Sequence, residues 1–376
     1  MKVVHLFNEL RASGGEVMTA EAVPLFQERG FELVIVSTGA QVGAFAEAFA
    51  ERGARVVHLP FERHPYYAVR LWKFLKQERP SIVHLQAERA NAVLGITARL
   101  AGARVVRTVR SVFRYQGRLR TVRRVERAAL RALGVQHIAI GPSVEQNELS
   151  WLSNPTLRVD NAVAPRFRPP DDEERHHARK EYGVTEGCLV ITSIGNCSSV
   201  KNHNAIIDTL GEIATNTGRQ VTYLHAGSGE DEELERVSAA THRDTGVDVR
   251  FLGTVSDVRS LLWASDLYCM PSLHEGLPIA ALEALACGVP SVLADVDGLR
   301  DVHPPAPSLR FVPPTAEGVI AGVLELHQSG DHRGAAASVA ERVRKERHVL
   351  RQVEALISIY QATAAVRSMP VESANE

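Results

Sequence analysis

Short apolar runs rich in β-branched residues alternate with stretches in which apolar residues recur every three or four positions. Six runs in the first 165 residues predict strands: KVVHLF, ELVIVST, ARVVHLP, SIVHLQ, ARVVRTV and HIAIG. Helices are predicted between them, at 16–29, 65–78, 88–101 and 117–133. Continuously apolar strands joined by helices are typical of a parallel sheet that is covered on both faces.

The alternation pauses at a charged stretch with three prolines, Pro165, Pro169 and Pro170, which is typical of a linker. It then restarts, with strands between residues 188 and 294 and with helices predicted at 203–216, 231–240, 255–264 and 278–287. A last periodic stretch, 339–366, predicts a long helix. We expect an α/β protein with two doubly wound, Rossmann-like domains, 1–165 and 166–345, followed by a helix and a loose tail over 346–376. Ligands bind such sheets at the carboxyl ends of the strands, so a central cleft is predicted there.

Composition narrows the functional classes. The chain has 376 residues, with 43 basic and 44 acidic side chains and a formal net charge of −1. This balance argues against a general nucleic-acid binder, whose charge would be strongly positive. No apolar run approaches the ~18 residues of a membrane span, and the first residues predict a strand and a glycine loop rather than a secretory leader. We therefore expect a cytoplasmic protein.

Metal-binding patterns are not found in the sequence. The four cysteines form no CxxC pair, which favours buried free thiols over a zinc knuckle or a disulfide framework. They are Cys188, Cys197, Cys269 and Cys287. HxxxH and HExxH are also missing, so no catalytic metal is predicted. His225 lies on a predicted strand and is interpreted as a core histidine.

The segment HEGLPIAALEALACGVPSV, residues 274–292, carries the strongest chemical signal. Glu275, Gly276 and Leu277 precede Pro278, which suits a helix start, where backbone N–H groups can donate to phosphate or sugar oxygens. Glu283 follows two turns later. A helical separation of about 12 Å exceeds the roughly 5–9.5 Å that a hydrolytic carboxylate pair needs. The two glutamates better suit two contacts with one elongated ligand, because carboxylates accept hydrogen bonds from sugar hydroxyls.

This segment resembles the EX7E motif of the retaining glycosyltransferase family 4, which has the GT-B fold. SIGNCSSVKNH at 193–203 resembles the family's donor-diphosphate loop, and LHAGSGEDEELE at 224–235 and VRFLGTVSDV at 249–258 follow in the expected order. RASGGEVM at 11–18 resembles the glycine loop of the first domain, and VDNAVAPRFRP at 159–169 resembles the hinge. The resemblance covers nearly the whole chain and implies that the C-terminal helix crosses back to the first domain.

The resemblance implies a role for each matched residue. Gly14 and Gly15 would approach the donor phosphates, Lys201 would neutralise the leaving diphosphate, and Glu283 would hold the nucleotide ribose. Glu275, with the backbone of Gly276 and Leu277, would hold the sugar. The full donor-binding set is Gly14, Gly15, Gly195, Asn196, Lys201, Asn202, Gly227, Leu252, Val255, Glu275, Gly276, Leu277, Pro278 and Glu283.

Two positions depart from the family pattern. Asn196 stands where the diphosphate loop usually has arginine, which removes one bidentate contact with the diphosphate. Arg110 stands near the position of a histidine that contacts the sugar. Arginine cannot act as a base, so we assign Arg110 an electrostatic or acceptor-binding role. The predicted catalytic residues are Glu275, Lys201 and Arg110, and the predicted acceptor contacts are His84, Arg107 and Arg110.

Residues 104–131 hold ten arginines and a single acidic residue. The helical spacing places Arg120, Arg124, Arg127 and Arg131 on one face, and predicts that Val122, Val125, Ala129 and Leu133 form the buried side. Three interpretations stay open for the arginine face. It is a solvated surface, a docking surface for anionic lipid, or an electrostatic funnel for an anionic acceptor.

The resulting hypothesis is a metal-independent retaining glycosyltransferase that moves a hexose-type sugar from a UDP- or GDP-sugar to an acceptor. The acceptor would be a small anionic natural-product or thiol-type scaffold, or an envelope glycolipid or polysaccharide precursor. A catalytically impaired nucleotide-sugar-binding protein and a nucleotide-sugar epimerase of the same fold are the alternatives. A dinucleotide-binding oxidoreductase is disfavoured, because no GxGxxG follows the first strand.

Overall fold

The computed structural model describes residues 1–62, 64–87, 89–241, 246–330 and 332–365. The predicted loose tail begins at residue 368 and lies outside the described residues. Within these ranges, no helix combines the length and the apolar composition needed to cross a bilayer.

The first sheet contains seven parallel strands in the order β3-β2-β1-β4-β5-β6-β7. Its strands are β1 (Lys2–Phe7), β2 (Glu32–Ser37), β3 (Arg55–His58), β4 (Ile82–Leu85), β5 (Arg104–Val109), β6 (Gln136–Ala139) and β7 (Leu157–Arg158). Its helices are α1 (Gly14–Glu28), α2 (Ala46–Glu51), α3 (Pro65–Glu78), α4 (Asn91–Leu100), α5 (Gly117–Ala132) and α6 (Pro142–Leu152).

The second sheet contains six parallel strands in the order β10-β9-β8-β11-β12-β13. Its strands are β8 (Leu189–Ile194), β9 (Val221–Ala226), β10 (Val247–Phe251), β11 (Leu267–Met270), β12 (Ser291–Ala294) and β13 (Leu309–Val312). The remaining helices are α7 (Asp172–Glu181), α8 (Asn204–Ile207), α9 (Leu210–Thr217), α10 (Glu232–Ala240), α11 (Arg259–Ala264), α12 (Ile279–Ala286), α13 (Asp297–Arg300), α14 (Ala316–Gln328), α15 (Arg333–Glu346) and α16 (Val349–Ala365).

Both faces of the first sheet are buried, as continuous apolar strands predict. On β1, Val3 packs into the core beneath α1 and α16, whereas Val4 packs into the core beneath α3 and α4. The second sheet is likewise doubly wound, and its strand order reverses between β8 and β11. The prediction of two Rossmann-like α/β domains is confirmed.

Two predicted helices are each divided in the structure. The stretch 203–216 forms α8 and α9, and the break lies at Thr209, whose hydroxyl donates to the carbonyl of Ile206. Such side-chain bonds compete with the helical ladder. The stretch 339–366 forms α15 and α16, which are separated where His348 makes an isolated parallel bridge with Val163.

The C-terminal helix α16 returns to the first domain, as the resemblance implies. Val349, Val353 and Tyr360 are buried in the same core as Phe26 of α1. The Tyr360 hydroxyl lies 2.6 Å from Nδ1 of His84, so the helix is also joined to β4 by a buried hydrogen bond.

The orientation of α5 differs from the prediction. Arg127 is buried and forms a bidentate pair with Glu148 of α6, at 2.6 and 2.8 Å. The guanidinium of Arg120 stacks on Trp151, and Arg131 donates to the carbonyl of Ser153 at 2.9 Å. Arg124 donates to the Ser153 hydroxyl at 2.8 Å.

The arginine face therefore packs largely on α6, and this packing leaves Arg124 as its exposed arginine for a solvated, lipid-docking or acceptor-steering role. The predicted buried side is exposed instead, with Val122 50% and Val125 63% accessible. The physical reason is electrostatic. The carboxyl end of α6 presents carbonyl oxygens and a negative helix dipole, and Glu148 adds a full negative charge that the arginines neutralise.

Candidate active site

The loop between β11 and α12 carries the first half of the 274–292 motif. Helix α12 starts at Ile279, one residue later than predicted, because Pro278 is the N-cap. Oε1 of Glu275 lies 2.6 Å from Nζ of Lys201, and both side chains keep partial exposure. Two of the three predicted catalytic residues, from separate loops, are therefore in direct contact.

Gly195 and Gly227 allow the loops after β8 and β9 to touch. A Cβ on Gly227 would lie 1.7 Å from the carbonyl oxygen of Gly195, so a larger residue would force the loops apart. The N–H of Gly227 donates to the carbonyl of Gly253 at 2.8 Å. This bond brings Leu252 and Val255, two residues of the predicted donor-binding set, to the same edge of the sheet as the diphosphate loop.

The two asparagines of the diphosphate loop have different surroundings. Asn196 is exposed. Asn202 adopts a left-handed conformation with φ of 57°, and Nδ2 donates to the carbonyls of Pro271 and Pro314 at 3.2 and 3.0 Å. The Asn202 amide group is thus used within the protein, where it fixes the Lys201 loop against the segment that leads to Glu275.

Gly276 and Leu277 face the first domain through their backbones. A Cβ on Gly276 would lie 2.3 Å from the carbonyl oxygen of Arg110. The Leu277 side chain is buried in the interdomain core, and its carbonyl accepts a hydrogen bond from Nδ2 of Asn161 at 2.7 Å. The Leu277 carbonyl and side chain are therefore committed to domain packing rather than to a ligand.

Glu283 lies within α12 with only 7% of its surface accessible. Burial raises the pKa of its carboxyl to about 8, and the positive charge of Arg166 opposes that rise. Arg166 itself donates to Glu21 of α1 at 2.6 Å. Glu283 therefore lies near an ion pair that joins the domains, and it is largely protonated at neutral pH.

Gly14 and Gly15 start α1 and lie against the second domain and Arg110. A Cβ on Gly14 would lie 3.2 Å from Ile279, the first residue of α12. A Cβ on Gly15 would lie 2.7 Å from the guanidinium carbon of Arg110, and Nη2 of the same guanidinium donates to Oε1 of Gln86 at 2.5 Å. The structure thus holds a guanidinium at the positive end of α1, between the two domains.

The structure corrects the expectation that His84 and Arg107 contact an acceptor directly. His84 is fully buried, and its Nε2 lies 2.7 Å from the hydroxyl of Thr108 while Nδ1 contacts Tyr360. Burial holds the pKa of His84 well below its usual value. Arg107 is buried on β5 beside His137, with 3.4 Å between Nη1 and Nδ1. The strand pattern predicts that helices cover the sheet, but it does not show which strand positions those helices enclose, and both of these positions are interior.

Three residues at the interface were missed by sequence reasoning. Gln86 follows β4 at the carboxyl edge of the first sheet, so the rule that ligands bind at this edge would have found it. Asn161 and Arg166 both lie in the hinge segment, where polar residues are ordinary and give no signal of a specific contact. Their contacts with Leu277 and Glu21 arise from the docking of the two domains.

Two family models match consecutive parts of the chain. One, "Glycosyl transferase 4-like domain", matches residues 13–147, and the other, "Glycosyl transferases group 1", matches residues 174–343. The chain belongs to the family-4 glycosyltransferases of the GT-B fold. This glycosyltransferase therefore takes a nucleotide sugar as co-substrate and transfers its sugar to an acceptor.

Relatives and solved structures agree with the assignment. The glycosyltransferase is 25% identical over 308 residues to EpsF, a Bacillus subtilis protein named as a glycosyltransferase, covering 78% of this chain and 79% of the relative. It is 33% identical over 159 residues to D-inositol 3-phosphate glycosyltransferase of Rhodococcus erythropolis, covering 39% of this chain and 35% of the relative. Anabaena Alr3699/HepE in complex with UDP-glucose shares the fold, with a TM-score of 0.80, 16% identity and coverage of 96% and 100%.

Proposed function

We propose that the enzyme transfers a hexose-type sugar from a UDP- or GDP-sugar to an acceptor with retention of anomeric configuration and without a metal ion. The contact between Lys201 and Glu275 at the domain junction carries this proposal, since it pairs a phosphate-binding cation with a sugar-binding carboxylate. In this proposal residues 166–345 hold the donor, residues 1–165 select the acceptor, and the segment 346–376 couples the two.

The donor would lie along the loops that meet at Gly195, Gly227 and α12. Lys201 would contact the diphosphate, Glu283 the ribose, and Glu275 with the backbone of Gly276 the sugar. The Glu275 carboxylate neutralises Lys201 across their 2.6 Å contact. A bound diphosphate offers the same ammonium group a second anionic partner, which places positive charge where the leaving group develops negative charge.

Arg110 would supply the charge that Asn196 lacks. Its guanidinium packs on Gly15 at the start of α1, the position assigned to the donor phosphates. Arginine stays protonated, so its contribution is electrostatic rather than that of a base. In the proposed reaction the bond from the anomeric carbon to the leaving phosphate oxygen breaks, the acceptor oxygen bonds the same face, and the leaving phosphate accepts the acceptor proton.

The relatives and the interdomain arginine support a proposal for the acceptor class. Two relatives are named for anionic compounds. They are D-inositol 3-phosphate glycosyltransferase of Rhodococcus erythropolis, 33% identical over part of the chain, and N-acetyl-alpha-D-glucosaminyl L-malate synthase of Bacillus anthracis, 31% identical over part of the chain. We infer a small anionic or thiol-type scaffold, with an envelope glycolipid or polysaccharide precursor as the second class. The latter is supported by the Escherichia coli galactosyltransferase that is 26% identical over 246 residues and is named for a diphosphoundecaprenol substrate.

Nucleotide binding tests the donor half. The melting temperature would be measured with UDP, GDP, ADP, dTDP and their sugars, in buffer without added metal. A nucleotide at 100 times its dissociation constant adds about 2.7 kcal/mol of stability. We expect nucleotides of one base to bind. Their affinity should fall in Lys201→Ala but not in Lys180→Ala, a substitution on α7. Failure of every nucleotide to bind would contradict the donor assignment.

Product analysis tests the reaction. Donor alone and donor with anionic acceptors would be incubated and the sugar products separated by mass and by anomeric configuration. An α-linked product that requires acceptor is expected, and Arg110→Ala is expected to abolish its formation while weakening nucleotide binding only in part. Isomerised donor without acceptor would indicate an epimerase. Tight nucleotide binding with no product from either class would indicate a catalytically impaired binding protein.

We also propose that the protein contacts the inner face of the membrane through the outer side of α3, α4 and α5. We call this surface the outer helix face. These helices lie side by side and expose large apolar side chains: Tyr66, Val69, Trp72, Val93, Ile96, Leu100, Leu119, Val122 and Val125. Apart from the four arginines that pack on α6, the same three helices hold six arginines and lysines against two glutamates. Exposed apolar side chains on helices with a basic excess suit an anionic bilayer surface.

Vesicle co-sedimentation tests the outer helix face. Pelleting with vesicles that contain phosphatidylglycerol, but not with pure phosphatidylcholine, is expected at low salt. Val122→Asp/Val125→Asp should abolish pelleting. Leu234→Asp/Val237→Asp, on α10, alters two equally exposed apolar residues and should leave it intact. Equal pelleting of both variants, or no pelleting of the wild type, would overturn the membrane proposal.

A further inference from the structure

Four chemically distinctive side chains meet in the interior of the second domain. Cys197 and His203 belong to the loop after β8, His225 lies on β9, and Glu235 lies on α10. All four are buried. A sulfur, one nitrogen from each histidine and a carboxylate oxygen all lie within 4.8 Å of one another. We call these four residues the C197 cluster.

The distances within the C197 cluster suit a tetrahedral ion. Sγ of Cys197 lies 3.3 Å from Nε2 of His225, and Nδ1 of His203 lies 3.0 Å from Oε1 of Glu235. Bonds of about 2.0–2.3 Å to zinc place tetrahedral ligand atoms roughly 3.3–3.6 Å apart. Small shifts of side chains therefore suffice to bring all four donors to a common centre.

Two further observations, one contact and one unpartnered oxygen, point to a ligand. Nδ1 of His225 lies 2.8 Å from the Ser193 hydroxyl, which fixes the ring and leaves Nε2 facing Cys197. Outer hydrogen bonds of this kind orient metal-binding histidines. Oε2 of Glu235 is buried and has no hydrogen-bond partner among the described residues. A buried carboxylate oxygen without a donor is costly, and a cation would satisfy it.

We propose that the C197 cluster binds one Zn²⁺ in a closed, four-coordinate site. Thiolate and imidazole ligands favour zinc over calcium or magnesium, and a full set of four protein ligands is typical of structural rather than catalytic zinc. On binding, the Cys197 thiol releases its proton to solvent as the sulfur–zinc bond forms. The thiolate and the Glu235 carboxylate then balance the two positive charges, so the buried site is neutral.

The proposed ion would anchor the loop that carries Gly195 and Lys201. Two ligands, Cys197 and His203, flank Lys201 in sequence, while the other two belong to elements of the sheet and its covering layer. The site would thus fix the loop without touching the sugar. Zinc binding itself is independent of the proposed function; only its effect on nucleotide affinity rests on that proposal.

Metal analysis of the full chain tests the site. Protein purified from zinc-supplemented medium would be dialysed and its zinc measured by mass spectrometry, with Cys197→Ser as the test variant. Cys188→Ser is the matched control, because Cys188 is a buried cysteine just before β8 whose sulfur, among the described residues, hydrogen-bonds to Thr222 and a backbone carbonyl. About one zinc per chain is expected in the wild type and the control, and at least a tenfold loss in Cys197→Ser.

A second measurement uses the wild-type chain alone, so it stands if the variant does not fold. Chelator-treated protein would be titrated with Co²⁺ and then with Zn²⁺. Tetrahedral cobalt bands with a thiolate charge-transfer band, their loss on adding zinc, and a melting temperature raised by roughly 5 °C or more are expected. Zinc-free protein with no cobalt bands and an unchanged melting temperature would overturn the proposal, whether or not the protein binds nucleotides.

Discussion

The carboxyl edges of the two sheets meet at the same cleft, yet the polar side chains at the two edges differ in their exposure. In the second domain, Lys201 and Glu275 remain partly exposed at the edge. In the first domain, His84 and Arg107 are interior, and Arg110 is the predicted residue that stays at the junction. A compact motif therefore predicts which polar groups of the second domain lie at this edge, whereas helices from distant parts of the chain decide which polar groups of the first domain reach the cleft.

The largest expected effect concerns Arg127, an arginine of the first domain that the structure places in a purely architectural role. Arg127→Ala leaves Glu148 buried without its partner, so we expect a loss of about 3–5 kcal/mol in the free energy of unfolding. Urea denaturation followed by circular dichroism measures it. Arg124→Ala, which removes one hydrogen bond from an exposed side chain, should cost less than about 1 kcal/mol.

A charge-free replacement sharpens that test. Arg127→Met combined with Glu148→Leu removes both charges and should recover most of the lost stability, because a buried pair is often replaceable by apolar residues. Equal losses in Arg127→Ala and Arg124→Ala would contradict the buried pair and restore the solvated arginine face.

On the donor side, Lys201→Ala should lower kcat/KM by about 100- to 1000-fold, the range found when one donor to a developing charge is removed. The folded structure should be retained, because the Lys201 side chain is partly exposed. Steady-state kinetics with the identified donor measures the effect. Lys180→Ala, an exposed lysine of α7, is the control, and an equal loss in both variants would remove Lys201 from the site.

A smaller effect is expected where α16 meets the first sheet. Tyr360→Phe removes the hydroxyl that contacts Nδ1 of His84, and it should cost about 1–3 kcal/mol of stability because a buried group loses its partner. Nucleotide affinity should not change, since the contact lies in the first domain. Thermal unfolding and calorimetric titration measure the two quantities, with the exposed Tyr66→Phe as control. Weakened nucleotide binding would contradict the separation of the domains.

The smallest expected effect is the pH dependence of nucleotide binding through Glu283. The folded pKa is about 8, above the ordinary 4.5, so folding favours the protonated form. Stability from this group is complete below pH 4.5 and is lost as the pH rises to about 8. Ribose hydroxyls donate to the ionised form, so nucleotide affinity should rise about tenfold from pH 7 to pH 9.

Glu283→Gln is the matched variant for that titration. It should bind nucleotides more weakly than the wild type at pH 9 and should lack the tenfold rise, because its amide does not titrate. A pH profile that persists in Glu283→Gln would assign the titration to another group.

Much of the fold could be predicted, because apolar runs and helical periodicity are local. The predicted strand KVVHLF and helix 65–78 coincide with β1 and α3 as observed. The orientation of α5 could not be predicted. Its apolar and basic sides are clear in the sequence, but the contact of the basic side with Glu148 and the end of α6 is formed only in the folded structure. An amphipathic pattern defines two faces of a helix, and packing against other elements determines which face is buried.

The candidate site divides in the same way. Glu275 and Glu283 lie in one motif, and Lys201 follows a recognisable strand, so sequence alone names them. The C197 cluster draws ligands from four separate positions at irregular spacing, and no short motif contains it. Asn202 illustrates the intermediate case, because its place in the loop was predictable while its bonds to Pro271 and Pro314 were not.

The chain passes between the domains twice, and the two passages run side by side. Val163 on the first passage accepts from the N–H of Val349 at 3.3 Å and donates to the carbonyl of Arg347 at 2.8 Å on the second. A single tether would let one domain swing and twist freely about the other. Two connections joined by a parallel bridge restrict such motion, so we expect the cleft to open mainly by rotation about this bridge, which would separate Arg110 from Gly276.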